Sequence, residues 1–160
     1  MGETNPYIQL LIDGLQKKKQ VLDQIILKNQ QQIEILSQDT VEFDAFDQNV
    51  SAKGDLIKTL ETLDEGFESV YERVKVELTG NKEKYRVQIK ILQQLIQEIT
   101  DKSVSIQTME ARNKKKIEDY FSYTRASIHQ AKQVNKVANS YYNTMTGKSI
   151  QGASTWEQKK

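Results

Sequence analysis

The sequence predicts an all-α fold: an elongated antiparallel three-helix bundle or coiled coil with a very long C-terminal helix. Three observations carry this expectation. Apolar residues recur at spacings of three and four along most of the chain, and the period-two alternation of a half-buried strand never persists. The single proline stands at position 6, so the 154 residues after it contain no proline stop. Apolar residues make up 37% and charged residues 28% of the 160-residue chain. That is below the ~45–50% apolar share of a typical globular domain counted with glycine, and it suits slender, exposed helices better than a thick core.

The first helix is expected over about 6–37. Asn5 is a favoured N-cap residue, and Pro6 falls at the first helical position, where its missing N–H costs nothing. Its apolar stripe is Ile8, Leu11, Leu15, Leu22, Ile25 and Leu36, widened by Ile12, Ile26 and Ile33 and interrupted by Lys18 and Asn29. The second helix is expected over about 40–78. Asp39 with Glu42 three residues later has the form of a capping box. The stripe runs Phe43, Phe46, Val50, Ile57, Leu60, Leu63, Phe67, Val70, Val74 and Leu78, with Lys53 in its one polar slot. Gly54 and Gly66 are places where this helix would bend, and Gly66 a place where it would break. Gly80 marks its end, with Asn81 placed to cap the next helix.

The third helix is expected over about 82–145, as one very long helix or two joined without a turn, because residues 81–146 contain neither glycine nor proline. Its stripe includes Tyr85, Ile89, Leu92, Ile96, Ile99, Ile106, Met109, Ile117, Tyr120, Ile128, Ala131, Val134, Val137 and Tyr141. Residues 1–146 thus read as one helical domain, and the polar stretch 147–160, with Gly147, Gly152 and the isolated Trp156, as a disordered tail.

Short connections make consecutive helices antiparallel. A hairpin centred on residue 80 sets residue 40 beside about 120, so the last 25 or so residues of the third helix would project ~35 Å past the other two. That overhang still carries an apolar stripe, which a helix bathed in water on all sides has no reason to keep, so it must fold back as ordinary core, pair with another copy or receive a partner. Five of the chain's 12 aromatic residues (Tyr120, Phe121, Tyr123, Tyr141 and Tyr142) lie between 117 and 145. Aromatic side chains give large contact area at low entropic cost and are enriched at interface hot spots. The candidate partner-binding residues are therefore Ile117, Tyr120, Phe121, Ile128, Ala131, Val134, Val137, Tyr141, Tyr142 and Met145.

Charge is distributed unevenly. The net charge of +1 combines residues 1–111, with 13 Lys/Arg against 19 Asp/Glu, and residues 112–160, with 10 against 3. In the hairpin register Lys114, Lys115 and Lys116 would lie opposite Asp44 and Asp47, an attraction of ~0–1 kcal/mol per exposed pair.

Several classes of function are disfavoured. The chain has no cysteine and one histidine, His129, so thiolate chemistry and sites needing two imidazoles are excluded. No phosphate-binding glycine loop, nucleophile elbow or metal motif is present. No enzymatic activity, cofactor or metal is expected. The lysine triplets at 17–19 and 114–116 fit a solvated face or an internal partner in a near-neutral chain better than nucleic acid. The N-terminus lacks the basic and apolar regions of a signal peptide, and Pro6 stands where a myristoylation motif needs Ser or Thr. No run approaches the length of a membrane span, so a cytoplasmic location is expected.

Three stretches, VEFDAFDQNVSAKGDLIKTLETLDEGFESVYERV (41–74), EITDKSVSIQTMEARNKKKIEDYF (98–121) and KVANSYYNTM (136–145), give the chain a further character. It resembles flagellar export chaperones of the FlgN type, with the FliT-type cap chaperones as close relatives. With the first helix the likeness covers about 7–145. The resemblance implies a small, all-helical cytoplasmic protein that binds unassembled hook–filament junction proteins (hook-associated proteins) before type III export, with export-apparatus components as further partners. It also implies substrate contact through the C-terminal helical region, here Ile117 to Met145. The alternative is a self-associating structural coiled coil, in which the overhang pairs two copies into a homodimer.

Overall fold

The computed structural model describes residues 5–122. They form three α-helices, α1 (Pro6–Leu36), α2 (Phe43–Gly80) and α3 (Arg86–Ser122), and no strand occurs among the described residues. At ~1.5 Å per residue the helices are about 46, 57 and 55 Å long. α1 lies against both other helices, while α2 and α3 approach each other's backbone less closely.

Cross-helix contacts fix the register. Lys18 meets Asp64, Asn29 meets Lys53 and Gln32 meets Asn49, so α1 and α2 run antiparallel. Lys19 meets Glu98 and Lys102 meets Asp23, so α1 and α3 run parallel. Lys53 meets Glu110, which centres the α2–α3 hairpin between residues 81 and 82 rather than on residue 80. Lys115 reaches Asp119 on its own helix at 3.6 Å.

α1 starts as its sequence dictates. The Asn5 side-chain oxygen accepts from the Tyr7 N–H at 2.9 Å, and Pro6 fills the first helical turn. α2 departs from expectation at its start. The helix begins at Phe43, not residue 40, and Glu42 occupies the N-cap without a side-chain capping bond. The capping box at Asp39 does not form. Instead Val41, just before the N-cap, and Phe46, in the first turn, are buried in the same apolar cluster. This is the arrangement of a hydrophobic staple. Burying these two side chains fixes the start of the helix further along than the polar cap would.

α2 runs without interruption through Gly54 and Gly66 to Gly80, so the helix does not break at Gly66. Asn81 caps α2 backwards: its N–H donates to the Leu78 carbonyl and its Nδ2 to the Glu77 carbonyl. A turn over residues 81–85 then delays α3 to Arg86, against the expected 82. Tyr85 anchors that turn. Its ring is buried and its hydroxyl donates to Glu77 Oε1 at 2.8 Å. Glu77 Oε2 accepts from the Asn5 side chain, tying the start of α1 to the same corner.

The continuation of the third helix to 145 and the tail 147–160 lie outside the described residues.

Candidate functional site

The interior is divided along its length. A large apolar core, including Leu11, Leu22, Ile25, Ile57, Leu60, Leu92, Ile96 and Ile106, fills the end of the bundle near the α2–α3 turn. A second, smaller one joins Leu36, Val41, Phe46, Ile117 and Phe121 at the opposite end, where the chain leaves α3. Phe43 and Tyr120 roof this smaller core. The Tyr120 ring meets Phe43 edge-on at 6.4 Å and Phe121 at 5.3 Å, and Phe43 lies 5.7 Å from Phe121.

Three of the ten candidate partner-binding residues therefore have a defined place. Ile117 and Phe121 are buried against α1 and α2 rather than presented to solvent, and Tyr120 is half-buried at the rim. Ile128, Ala131, Val134, Val137, Tyr141, Tyr142 and Met145 lie outside the described residues, as does His129. The structure adds Val41, Phe43 and Phe46, which support the last turn of α3 from the other helices.

Between the two cores lie two polar layers, each taking one side chain from every helix: Asn29, Lys53 and Glu110, then Gln32, Asn49 and Asn113. All six are buried. Lys53 Nζ donates to Asn29 Oδ1 at 2.7 Å, to Gln32 Oε1 at 3.1 Å and to both Glu110 oxygens at 3.0 and 3.1 Å. Asn113 Nδ2 donates to Gln32 Oε1 and to the Asn29 carbonyl, both at 3.1 Å. Gln32 Nε2 donates to Asn49 Oδ1 at 3.0 Å, and Asn49 Nδ2 to the Lys28 carbonyl at 2.9 Å. The Asn29 amide also faces Glu110 and favours its charged form, although its Nδ2 makes no hydrogen bond of good geometry.

Burial lowers the pKa of Lys53 and raises that of Glu110, and the mutual attraction of the pair opposes both shifts. The two groups thus carry a desolvation cost that their pairing offsets only in part. A similar pair, Lys18–Asp64 at 2.7 Å, crosses the larger core's flank, and burial raises the Asp64 pKa against the pull of Lys18.

In the sequence Lys18, Asn29 and Lys53 stand out only as gaps in apolar stripes, and Gln32, Asn49, Glu110 and Asn113 do not stand out at all. The signal available was a polar residue at a core position in all three helices at matching heights.

No group of His, Cys, Asp or Glu that could hold a metal ion occurs among the described residues. No helix among them is long and apolar enough to cross a membrane. A family model described as "FlgN protein" matches residues 1–148. No curated protein and no solved structure matches the chain.

Proposed function

The chain belongs to the FlgN family, a family of flagellar export chaperones, and from that premise we propose that it holds unassembled hook–filament junction proteins through its C-terminal amphipathic stretch. The observation that carries this reading is the extent of the family match. It runs to residue 148, past Met145, and so takes in the whole apolar stripe from Ile117 onward.

The physical logic is helix-in-groove recognition. A terminal helix that is buried against its neighbours in an assembled filament exposes an apolar face before assembly. An amphipathic stretch carrying Ile128, Ala131, Val134, Val137, Tyr141, Tyr142 and Met145 offers a substitute face. Tyr120 would sit at its root. Ordering a flexible client costs entropy, so affinity stays moderate and release at the export apparatus stays easy. No bond is made or broken, and the work is done in the cytoplasm.

Titration calorimetry of the full chain with a junction protein tests the reading. The unmodified chain is expected to bind. The double variant Val137→Asp/Tyr141→Asp is expected to bind at least tenfold more weakly, about 1.4 kcal/mol or more. Equal binding by both would overturn the assignment of the contact surface. A stable homodimer that takes up no junction protein would favour the self-associating coiled coil instead.

A further inference from the structure

We propose that the two polar layers divide the bundle into units that open separately, and that the smaller unit at the exit of α3 opens while the larger one stays folded. The two kinds of opening expose different surfaces. Parting the helices anywhere within the large core uncovers side chains such as Leu22, Ile25, Ile57 and Ile106. Parting them at the exit end, up to the layers and no further, leaves a face made of Asn29, Gln32, Asn49, Lys53, Glu110 and Asn113. Water solvates that face, and the two charged groups in it lose a desolvation cost on exposure.

The sizes of the cores point the same way. Among the described residues the smaller holds five buried apolar side chains and the larger eighteen. Sub-global opening favours units with few apolar contacts of their own. The gap between the cores on α1, from Ile25 to Leu36, is about 16 Å and contains no fully buried apolar side chain. Apolar packing is therefore discontinuous along the interior of α1.

Opening frees Leu36, Val41, Phe46, Ile117 and Phe121 together, adding apolar surface next to the stretch that leaves α3. It is the route by which Ile117 and Phe121, covered in the closed bundle, reach a partner. Only this last link rests on the proposed chaperone function; the division of the bundle concerns the chain alone.

Hydrogen exchange read by mass spectrometry on the full chain, without a partner, tests the division. Phe46→Ala is expected to speed exchange about tenfold or more in peptides spanning 36–46 and 113–121, leaving those spanning 8–25 and 92–106 within about twofold. Equal acceleration throughout means a single cooperative unit and overturns the proposal. Lys53→Met/Glu110→Leu removes both charges from the layer next to the large core, leaving Asn29 as its one polar side chain, and extends apolar packing from the large core toward the exit end. Exchange at 36–46 and 113–121 is then expected to slow about tenfold. An unchanged rate means that the exit end frays without regard to the layers, and this too overturns the proposal. Should that variant fail to fold, Gln32→Leu/Asn49→Leu makes the same test in the other layer. Failure of these tests leaves the chaperone assignment standing, because no partner enters the readout.

Discussion

Lys53 is held by four acceptor atoms, two on α1 and two on α3, each within 3.1 Å. Such a group is a poor source of stability but a strict selector of register, because a slip of one turn leaves a charge buried without its partner. Lys53→Met leaves Glu110 buried and unpaired, and denaturant unfolding should show a loss of about 3 kcal/mol. The double variant Lys53→Met/Glu110→Leu should recover most of that loss. Glu110 also predicts a dependence on pH. Its pKa in the folded chain is raised above the usual 4.5. Between 4.5 and that higher value the folded chain binds the proton more readily than the unfolded one. Stability from this group therefore increases as pH falls through the raised pKa, and is lost as pH rises through it. Relative to Glu110→Gln, the unmodified chain should gain stability on acidification over this window, as measured by paired denaturation curves. Parallel curves at every pH would contradict the assignment. The polar character of Lys53 was visible in the sequence, but its partner was not. A hairpin centred on residue 80 sets Lys53 opposite about 107, nearly one helical turn from Glu110. The three-residue difference arises from the turn over 81–85, whose Tyr85 anchor no helical periodicity reveals.

The helices themselves were legible because their stripes are long and uninterrupted by proline. Their ends were less so. The polar pair Asp39 and Glu42 looked like a start for α2, yet Val41 and Phe46 set it, since apolar burial contributes more than one exposed cap. Gly54 and Gly66 looked like weak points, but α2 runs through both. Packing on α1 outweighs a helix-propensity cost of about 1 kcal/mol per glycine. A Cβ added at either glycine meets nothing within 4 Å. Gly54→Ala and Gly66→Ala should therefore each stabilise the chain by about 0.4–1 kcal/mol, seen as a raised denaturation midpoint with an unchanged slope. Destabilisation by either would mean that α2 needs a bend there.

At the scale of the molecule, the three described helices form a body, and capture is proposed for the stretch from Ile117 to Met145. The body's polarity is now specific: a large core at the α2–α3 turn, two polar layers, and a small aromatic-roofed core where the chain continues into residues 123–145. The candidate surface was legible only as a pattern. Its apolar period and aromatic clustering could be read from residues 117–145, but the burial of Ile117 and Phe121 depends on α1 and α2 and no single-helix pattern contains it. The most direct test is binding of a hook–filament junction protein to the chain ended after Ser122, measured beside the full chain. The shortened chain should keep its helical circular dichroism and cooperative unfolding while losing capture. Capture at full affinity by the shortened chain would contradict the account, because the binding face would then lie within the three described helices.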